Sequence, residues 1–323
     1  MTESRTTLRE HEGELVVAAV TPVADAVVEL RLVDPSGRAL PPWTPGAHVD
    51  LVLGDLVRQY SLCGDPTDAT AYTVAVLREP DSRGGSSFVH ERLGVGSRVL
   101  VRGPRNHFPL VSAPRYLFVA GGIGVTPLLP MIAEADASGA DWRLVYRGRS
   151  RATMAYAARL AELGERVTLL PGDETGPMDL KAVLGEPAEG TLVYCCGPER
   201  LLAGAEEICT ASWPAGALHL ERFAAKEAEV PAEGERAFEL VLAGSGVTLQ
   251  VPVDRSVFDV IQDAGISVLG SCHEGICGTC EQVVLEGEVD HRDSVLNEAE
   301  RAANDAMMVC VSRCRSDRLV LDL

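Results

Sequence analysis

The chain lacks any apolar run approaching the roughly 18 residues that a membrane-spanning helix needs, so no helical span is expected within it. Its first residues, Met1 to Gly13, are polar and charged and hold no apolar core of the secretory kind. A cytoplasmic location is therefore expected. Positive charge is scarce too: 29 Lys and Arg face 47 Asp and Glu, a formal net charge of -18. An anionic surface repels nucleic-acid phosphates and anionic headgroups, which removes nucleic acid and membrane from the expected partners. The deficit is uneven, because between Ala237 and Leu323 15 acidic residues face 6 arginines and no lysine. That suits docking on a basic protein face, with solubility alone as the plainer explanation. Nine cysteines in a reducing compartment read as ligands and buried thiols rather than disulfides.

What the chain does contain is one dense loop, Ser271-Cys272-His273-Glu274-Gly275-Ile276-Cys277-Gly278-Thr279-Cys280. The spacing C-x4-C-x2-C, with Cys310 in a later Met-Met-Val-Cys-Val run, matches the plant-type thiolate cradle of a 2Fe-2S cluster. Two irons need four soft anionic ligands converging from one side, so three come from a tight loop and one from a returning strand. The glycines at 270, 275 and 278 let the backbone bend and turn amide N–H groups toward the sulfurs. The alternatives are a zinc tetrahedron of Cys277, Cys280, Cys310 and Cys314, or plain reduced thiols. On the cluster reading Cys314 is an extra thiol among arginines and His273 a surface residue at the rim.

The 323 residues, 46% of them hydrophobic, suffice for two or three domains. From Glu14 to about Leu110 short β-rich runs alternate with turns such as Asp34-Pro35-Ser36-Gly37, predicting a small antiparallel barrel. It contains Arg58-Gln59-Tyr60-Ser61-Leu62, whose alternation puts Arg58 and Tyr60 on one face and Ser61 on the other. Downstream, Arg83-Gly84-Gly85-Ser86-Ser87 runs into a short helix predicted over residues 88–93, a place for a phosphate. An arginine, an aromatic face and a phosphate nest in one barrel suggest a flavin site, with an ordinary amphipathic strand at Arg58-x-Tyr60-Ser61 and a plain loop at Gly84-Gly85-Ser86-Ser87 as the alternatives.

From about Ala113, buried strands alternate with helices, predicting a parallel doubly wound sheet. Strand Tyr116–Ala120 runs into Gly121-Gly122-Ile123-Gly124-Val125-Thr126-Pro127 and then a helix over 128–137, the sequence that holds a pyrophosphate against a helix start. Further strands are expected at 142–146, 167–170 and 191–195, with helices over 154–163 and 199–213. Arg147-Gly148-Arg149-Ser150-Arg151 and Cys196-Gly197-Pro198 fall at strand ends, where such sheets bind ligands. The other explanation for Cys195 and Cys196 is a pair of buried strand-end thiols. The polar stretch at 225–236 reads as a linker, and the segments after it as a hairpin, a helix capped by Ser256 and later strands, among them 307–311.

Arg58-x-Tyr60-Ser61-Leu62, Gly84-Gly85-Ser86, the glycine run 121–127, Cys196-Gly197-Pro198 and the cysteine loop stand in the order seen in one family. Together they resemble the phthalate dioxygenase reductase and vanillate demethylase reductase family, over nearly the whole chain from about residue 14. The resemblance implies a multidomain fold: an FMN-binding antiparallel β-barrel of the ferredoxin-reductase type (1–111), an NAD(P)-binding α/β domain (112–224), the linker, and a β-grasp ferredoxin (237–323). A C-terminal ferredoxin goes with FMN in such chains. Arg58 would then bind the FMN phosphate, Tyr60 stack on the isoalloxazine and Ser61 lie near its N5. Gly84, Gly85, Ser86 and Ser87 would complete the phosphate nest, with Leu62, Ala75 and Val76 beside the ring. Cys196, Gly197 and Pro198 would sit by the nicotinamide. Phe223 would pack on the flavin, unless it is an ordinary core residue.

Gly121, Gly122, Gly124, Thr126 and Pro127 would hold the dinucleotide, as would Arg149 and Ser150. The family leans to NADH, whereas Arg149 and Arg151, with no carboxylate evident beside them, keep NADPH open. The implied activity takes a hydride from NAD(P)H onto FMN and passes single electrons through the 2Fe-2S cluster. No acid–base residue is expected to be indispensable. The implied acceptor is an oxygenase docking on the acidic ferredoxin domain, a Rieske-type ring-hydroxylating dioxygenase or O-demethylase. A haem monooxygenase and a stand-alone flavin reductase or redox sensor are the alternatives. A monomer is expected.

Overall fold

The computed structural model describes residues 12–80, 82, 84–224, 235–296 and 298–323. The chain divides into two compact units, Met1–Glu221 and Arg222–Leu323. Among the described residues no helix is long and apolar enough to cross a membrane.

The first unit opens with β1 (Glu12–Ala24), β2 (Val27–Val33), β3 (His48–Leu53), β4 (Leu56–Ser61), β5 (Ala71–Leu77), α1 (Gly85–Arg92) and β6 (Arg98–Arg105). The strands pair antiparallel in the order β4-β3-β6-β1-β2-β5, and a bridge from Leu62 to Val74 joins the two ends into a barrel. Alternate residues point inward: Leu30 and Leu32 on β2, Val49 and Leu51 on β3 and Val99 and Val101 on β6 are buried in one core. Helix α1 starts three residues earlier than its apolar pattern suggests. Ser82 Oγ accepts from the amides of Gly84 at 3.2 Å and Ser87 at 3.4 Å, so the glycine-serine loop already winds into the first turn.

The same unit continues through β7 (Arg115–Gly121), α2 (Leu128–Ala137), β8 (Asp141–Gly148), α3 (Ala157–Ala161), β9 (Val167–Pro171), α4 (Gly172–Thr175), α5 (Leu180–Leu184), β10 (Thr191–Cys196), α6 (Glu199–Ser212) and β11 (Leu218–Glu221). All five strands are parallel, in the order β11-β10-β7-β8-β9. Phe118, Val119 and Ala120 in the middle strand are fully buried because both faces are covered. Leu128 and Met131 of α2 and Leu160 of α3 share one core with Phe118 and Leu144, and Leu202 and Cys209 of α6 share the other with Val119 and Val193. Tyr194 ties this sheet to the chain arriving from the barrel, since its hydroxyl donates to Pro109 O at 3.0 Å and accepts from Val111 N at 2.7 Å.

The helix expected over 154–163 is shorter. A 3-10 turn spans Arg151–Thr153 and α3 begins only at Ala157, because Tyr156 takes a left-handed φ of 60°. Its hydroxyl donates to Glu29 Oε2 on β2 at 2.8 Å, a tertiary contact that overrides local helix preference.

In the second unit, β12 (Phe238–Leu242) and β13 (Val247–Val251) form the expected hairpin, and Ser256 Oγ accepts from Asp259 N at 3.0 Å to cap α7 (Val257–Asp263). There follow β14 (Glu281–Glu286), β15 (Val289–Asp290), α8 (Glu298–Ala303), β16 (Ala306–Met308), β17 (Arg313–Cys314) and β18 (Arg318–Leu321). The sheet runs β13-β12-β18-β14-β16 with β12 and β18 parallel at its centre, wrapped on α7 through Val257, Phe258 and Ile261 in the β-grasp manner. The strand expected over 307–311 stops at Met308. Val311 N and Ser312 N both turn back to Met308 O, so Cys310 sits in a turn. Of the linker at 225–236, all but Glu235 and Arg236 lies outside the described residues. Glu235 is anchored by Arg292 at 2.6 Å and Arg313 at 2.7 Å.

Candidate functional site

Strand β4 carries Arg58 and Tyr60 half-buried on one face, while Ser61 and the following Leu62 are buried. Arg58 NH1 donates to Val57 O at 2.8 Å, and its stem crosses the start of α1 so closely that a Cβ on Gly85 would lie 2.5 Å from Arg58 Cγ. Only glycine lets the guanidinium and the helix start face one anion position. Ser86 Oγ donates to Ser82 Oγ at 2.9 Å and accepts from Glu79 N at 3.2 Å, so it shapes the loop itself. Ser82 was not singled out in the sequence, because nothing local distinguishes it from other loop serines. Arg83 lies outside the described residues. These groups fit a phosphate: a cation, a helix start and a cradle that a Cβ would fill. Burial pushes the Tyr60 hydroxyl up to about 12, so it stays a neutral ring. Ala75 and Val76 on β5 are both buried but on opposite faces. Ala75 joins the core shared with α2 and Val76 the barrel core, so their side chains do not line one surface together.

The glycine run and the Cys196-Gly197-Pro198 turn are brought together. A Cβ on Gly124 would lie 2.3 Å from Cys196 O and 2.6 Å from Gly197 N. Residues 122–125 form a 3-10 turn, Thr126 Oγ1 donates to Ile123 O at 3.0 Å, and Pro127 leads into α2. Ser150 N and Oγ bond Thr153 in a closed capping box, and Arg149 is exposed. The arginine loop does have carboxylates beside it. Glu174 on α4 pairs with Arg151 at 2.9 Å, and Asp173 N bonds Arg149 O at 3.1 Å; the sequence hid this because the acids arrive on α4, more than twenty residues later.

Where barrel and parallel sheet meet, Ser61 Oγ donates to Glu221 Oε2 at 3.4 Å, and Glu221 is in register with Cys196 on the neighbouring strand. Burial pushes the Glu221 carboxyl up to about 8, opposed by the Ser61 hydrogen bond. Cys196 is fully buried and its thiol is held protonated by burial first and by Glu221 next. Cys195, one residue earlier, points instead into the core beneath α6. Glu221 was missed in the sequence, although a lone carboxylate ending an apolar strand was a usable signal. Phe223 belongs to the second unit and is 41% exposed, so it is not a core residue.

In the second unit the four predicted thiols are gathered. Cys272 is in hydrogen-bonding contact with Cys277 and Cys310, and Cys310 with Cys280. Amides aim at the sulfurs: Glu274 N at Cys272 Sγ, 3.3 Å, Thr279 N at Cys277 Sγ, 3.4 Å, with Ile276 and Gly275 serving Cys272 and Cys310. The neighbouring Cys272 thiol, then burial, pushes Cys277 up to about 12. Crowded thiols that resist ionising at Cys272, Cys277 and Cys310, each of these three met by N–H donors, form with Cys280 the set that a positively charged metal core relieves. Cys314 stands apart, its sulfur against Ser316 Oγ at 3.1 Å and Arg318 O at 3.5 Å, so the zinc tetrahedron that needs it is not built. Among the described residues no three His, Cys, Asp or Glu side chains gather as a single ion requires. A two-iron core divides its four ligands between two metals. His273 takes a left-handed φ of 54° and sets its ring edge-on to Phe258, centroids 4.7 Å apart.

The comparisons agree with this geometry. Residues 240–315 match the family described as a 2Fe-2S iron-sulfur cluster binding domain. The chain is 44% identical over 312 residues to the phenoxybenzoate dioxygenase subunit beta of Ectopseudomonas oleovorans, covering 96% of this chain and 97% of that protein. Among solved structures, a phthalate dioxygenase reductase, described as a modular structure for electron transfer from pyridine nucleotides to [2Fe-2S], is 36% identical with a TM-score of 0.69, covering 97% of this chain and 98% of that one. An intact type IV self-sufficient cytochrome P450 monooxygenase is 47% identical with a TM-score of 0.92, covering 97% of this chain but 41% of that one. The chain belongs to the phthalate dioxygenase reductase family, the flavin and 2Fe-2S reductases that carry electrons from NAD(P)H to oxygenase systems.

Proposed function

We propose that this chain is the reductase of an oxygenase system, with residues 1–111 binding FMN, 112–224 binding the pyridine nucleotide, 225–236 linking and 237–323 holding the 2Fe-2S cluster. The observation that carries it is the gathering of Cys272, Cys277, Cys280 and Cys310, with amides directed at the sulfurs of Cys272, Cys277 and Cys310. Bound FMN supplies the exchange between a two-electron donor and a one-electron cluster. Arg58 and the start of α1 at Gly85 neutralise and seat the phosphate, while Gly84, Ser86 and Ser87 shape the loop around it through Ser82. Tyr60 offers its ring face. Ser61 donates to Glu221, whose carboxyl keeps its own proton where the parallel sheet meets the barrel, and the neutral Cys196 thiol, with Gly197 and Pro198, walls the nicotinamide position and excludes water.

The acceptor is a Rieske-type ring-hydroxylating dioxygenase or O-demethylase docking on the acidic ferredoxin. The dioxygenase subunit at 44% identity supports that class. The P450 match, at 47% identity and a TM-score of 0.92, supports a second reading in which the acceptor is a haem monooxygenase.

The test is a pair of assays on the purified chain. NADH should drive both cytochrome c and ferricyanide reduction. Cys310→Ser should abolish the first and the cluster absorbance while sparing the second, and Cys314→Ser should keep both. Equal survival of both activities in Cys310→Ser rejects the relay.

A further inference from the structure

In a doubly wound nucleotide domain the adenine ribose sits at the end of the strand beside the glycine loop, where a carboxylate suits a 2′-OH and an arginine a 2′-phosphate. Here the glycine loop follows β7, and its neighbour β8 ends in three arginines, Arg147, Arg149 and Arg151. Read alone they suggest a phosphorylated ribose, but two of the three are committed elsewhere. Arg147 NH1 donates to Leu170 O at 3.2 Å and to Thr175 Oγ1 at 3.3 Å, and its guanidinium lies so close over Gly172 that a Cβ there would come within 2.6 Å. Arg151 donates twice to Glu174, Nε to Oε1 at 3.2 Å and NH2 to Oε2 at 2.9 Å, the fork geometry in which arginine holds a carboxylate best. Asp173 is fixed beside them by the hydrogen bond its backbone N–H donates to Arg149 O. Thus two arginines, 149 and 151, share the strand end with two carboxylates brought in by α4.

We propose that Glu174 sets the nucleotide preference by occupying Arg151, so that the pocket takes the unphosphorylated dinucleotide, NADH. This deepens the reductase reading and rests on it. A phosphate monoester carries about -1.5 to -2 charge at neutral pH. To reach Arg151 it must displace Glu174 and then remain next to both Glu174 and Asp173. A hydroxyl meets no such repulsion and can donate to either carboxylate. Glu174 is therefore a positioning residue, acting through the arginine it holds.

The experiment compares binding of adenosine 2′,5′-bisphosphate and of 5′-AMP to the full chain by calorimetry. It uses the natural protein, Glu174→Ala, Glu174→Gln and Glu174→Ala with Arg151→Ala. The natural protein should bind 5′-AMP at least as tightly as the bisphosphate. Glu174→Ala should move the affinity ratio about tenfold, or about 1.4 kcal/mol, toward the bisphosphate. Glu174→Gln, which loses only the charge, should move it in the same direction, and adding Arg151→Ala should cancel the gain. Anaerobic flavin bleaching by NADH and NADPH should shift in parallel. A tenfold preference of the natural protein for the bisphosphate, an unmoved ratio in Glu174→Ala, a gain that survives loss of Arg151, or no binding of either fragment overturns the proposal. Failure of the reductase reading looks different: the fragments bind, yet neither dinucleotide bleaches the flavin.

Discussion

Replacing Glu221 by Gln should make the first unit more stable at alkaline pH while leaving it nearly unchanged in acid. Burial holds this carboxyl's pKa at about 8 against the ordinary 4.5. Between those values the folded chain keeps a proton that the unfolded chain has released. The contribution to stability is thus complete below 4.5 and is lost as pH rises toward 8. At about 1.36 kcal/mol per pH unit, that interval sets a ceiling of about 5 kcal/mol. Glu221 as a residue is only half-buried, so solvent screening reduces the ceiling. An effect of about 1–3 kcal/mol is expected, in the range of other buried polar groups. Glutamine cannot ionise, so Glu221→Gln should match the natural protein near pH 5 and exceed it by that amount near pH 8.5. Urea unfolding of the flavin-free protein measures this, followed by tryptophan fluorescence. Trp43, Trp142 and Trp213 are the three tryptophans of the chain and all lie in the first unit, so the signal reports the unit that holds Glu221. Other carboxylates titrate alike in both proteins and cancel in the difference. A difference that stays constant from pH 5 to 8.5 refutes the buried, proton-holding carboxyl.

Two further outcomes follow from the same unit. Gly124→Ala would place a Cβ 2.3 Å from Cys196 O, a backbone atom that cannot swing aside; a loss of about 1–3 kcal/mol is expected in urea unfolding, together with weaker nucleotide binding. Tyr156→Phe removes the hydroxyl that bonds Glu29 at 2.8 Å and touches Cys63 Sγ at 3.6 Å, and should cost about 1–3 kcal/mol because the Glu29 carboxylate loses a partner.

Much of the architecture was legible because it is written in short-range patterns. Short β-rich runs punctuated by turns predicted the barrel, and the uninterrupted apolar run at 116–120 marked a buried strand. The cysteine loop was legible for a related reason: three of its four thiols lie within nine consecutive residues, and ring closure over so short a loop leaves few alternatives. Element ends were less so. Tyr156 interrupts an otherwise helical stretch because of a bond to a residue on β2, far away in sequence, and the strand toward Cys310 stops early because two amides fold back on Met308. No local propensity encodes either contact.

The residues that escaped the sequence share one property. Glu221, Glu174 and Ser82 are ordinary polar side chains whose meaning is conferred by a partner from another element: Ser61 on β4, Arg151 beyond β8, and the amides at the start of α1. The glycine run shows the converse. Its residues invite a ligand-binding explanation, yet Gly124 is required first because the turn after β10 approaches to backbone contact, whereas a Cβ on Gly122, at φ 56°, would meet nothing within 4 Å. The motif therefore combines two demands. Gly124 packs the two strand-end loops together, and Gly122 leaves open space in front of the turn. The two carboxylates follow the same logic, each brought to its partner by another element, Glu221 of β11 to Ser61 and Glu174 of α4 to Arg151, so neither stands out in a local motif.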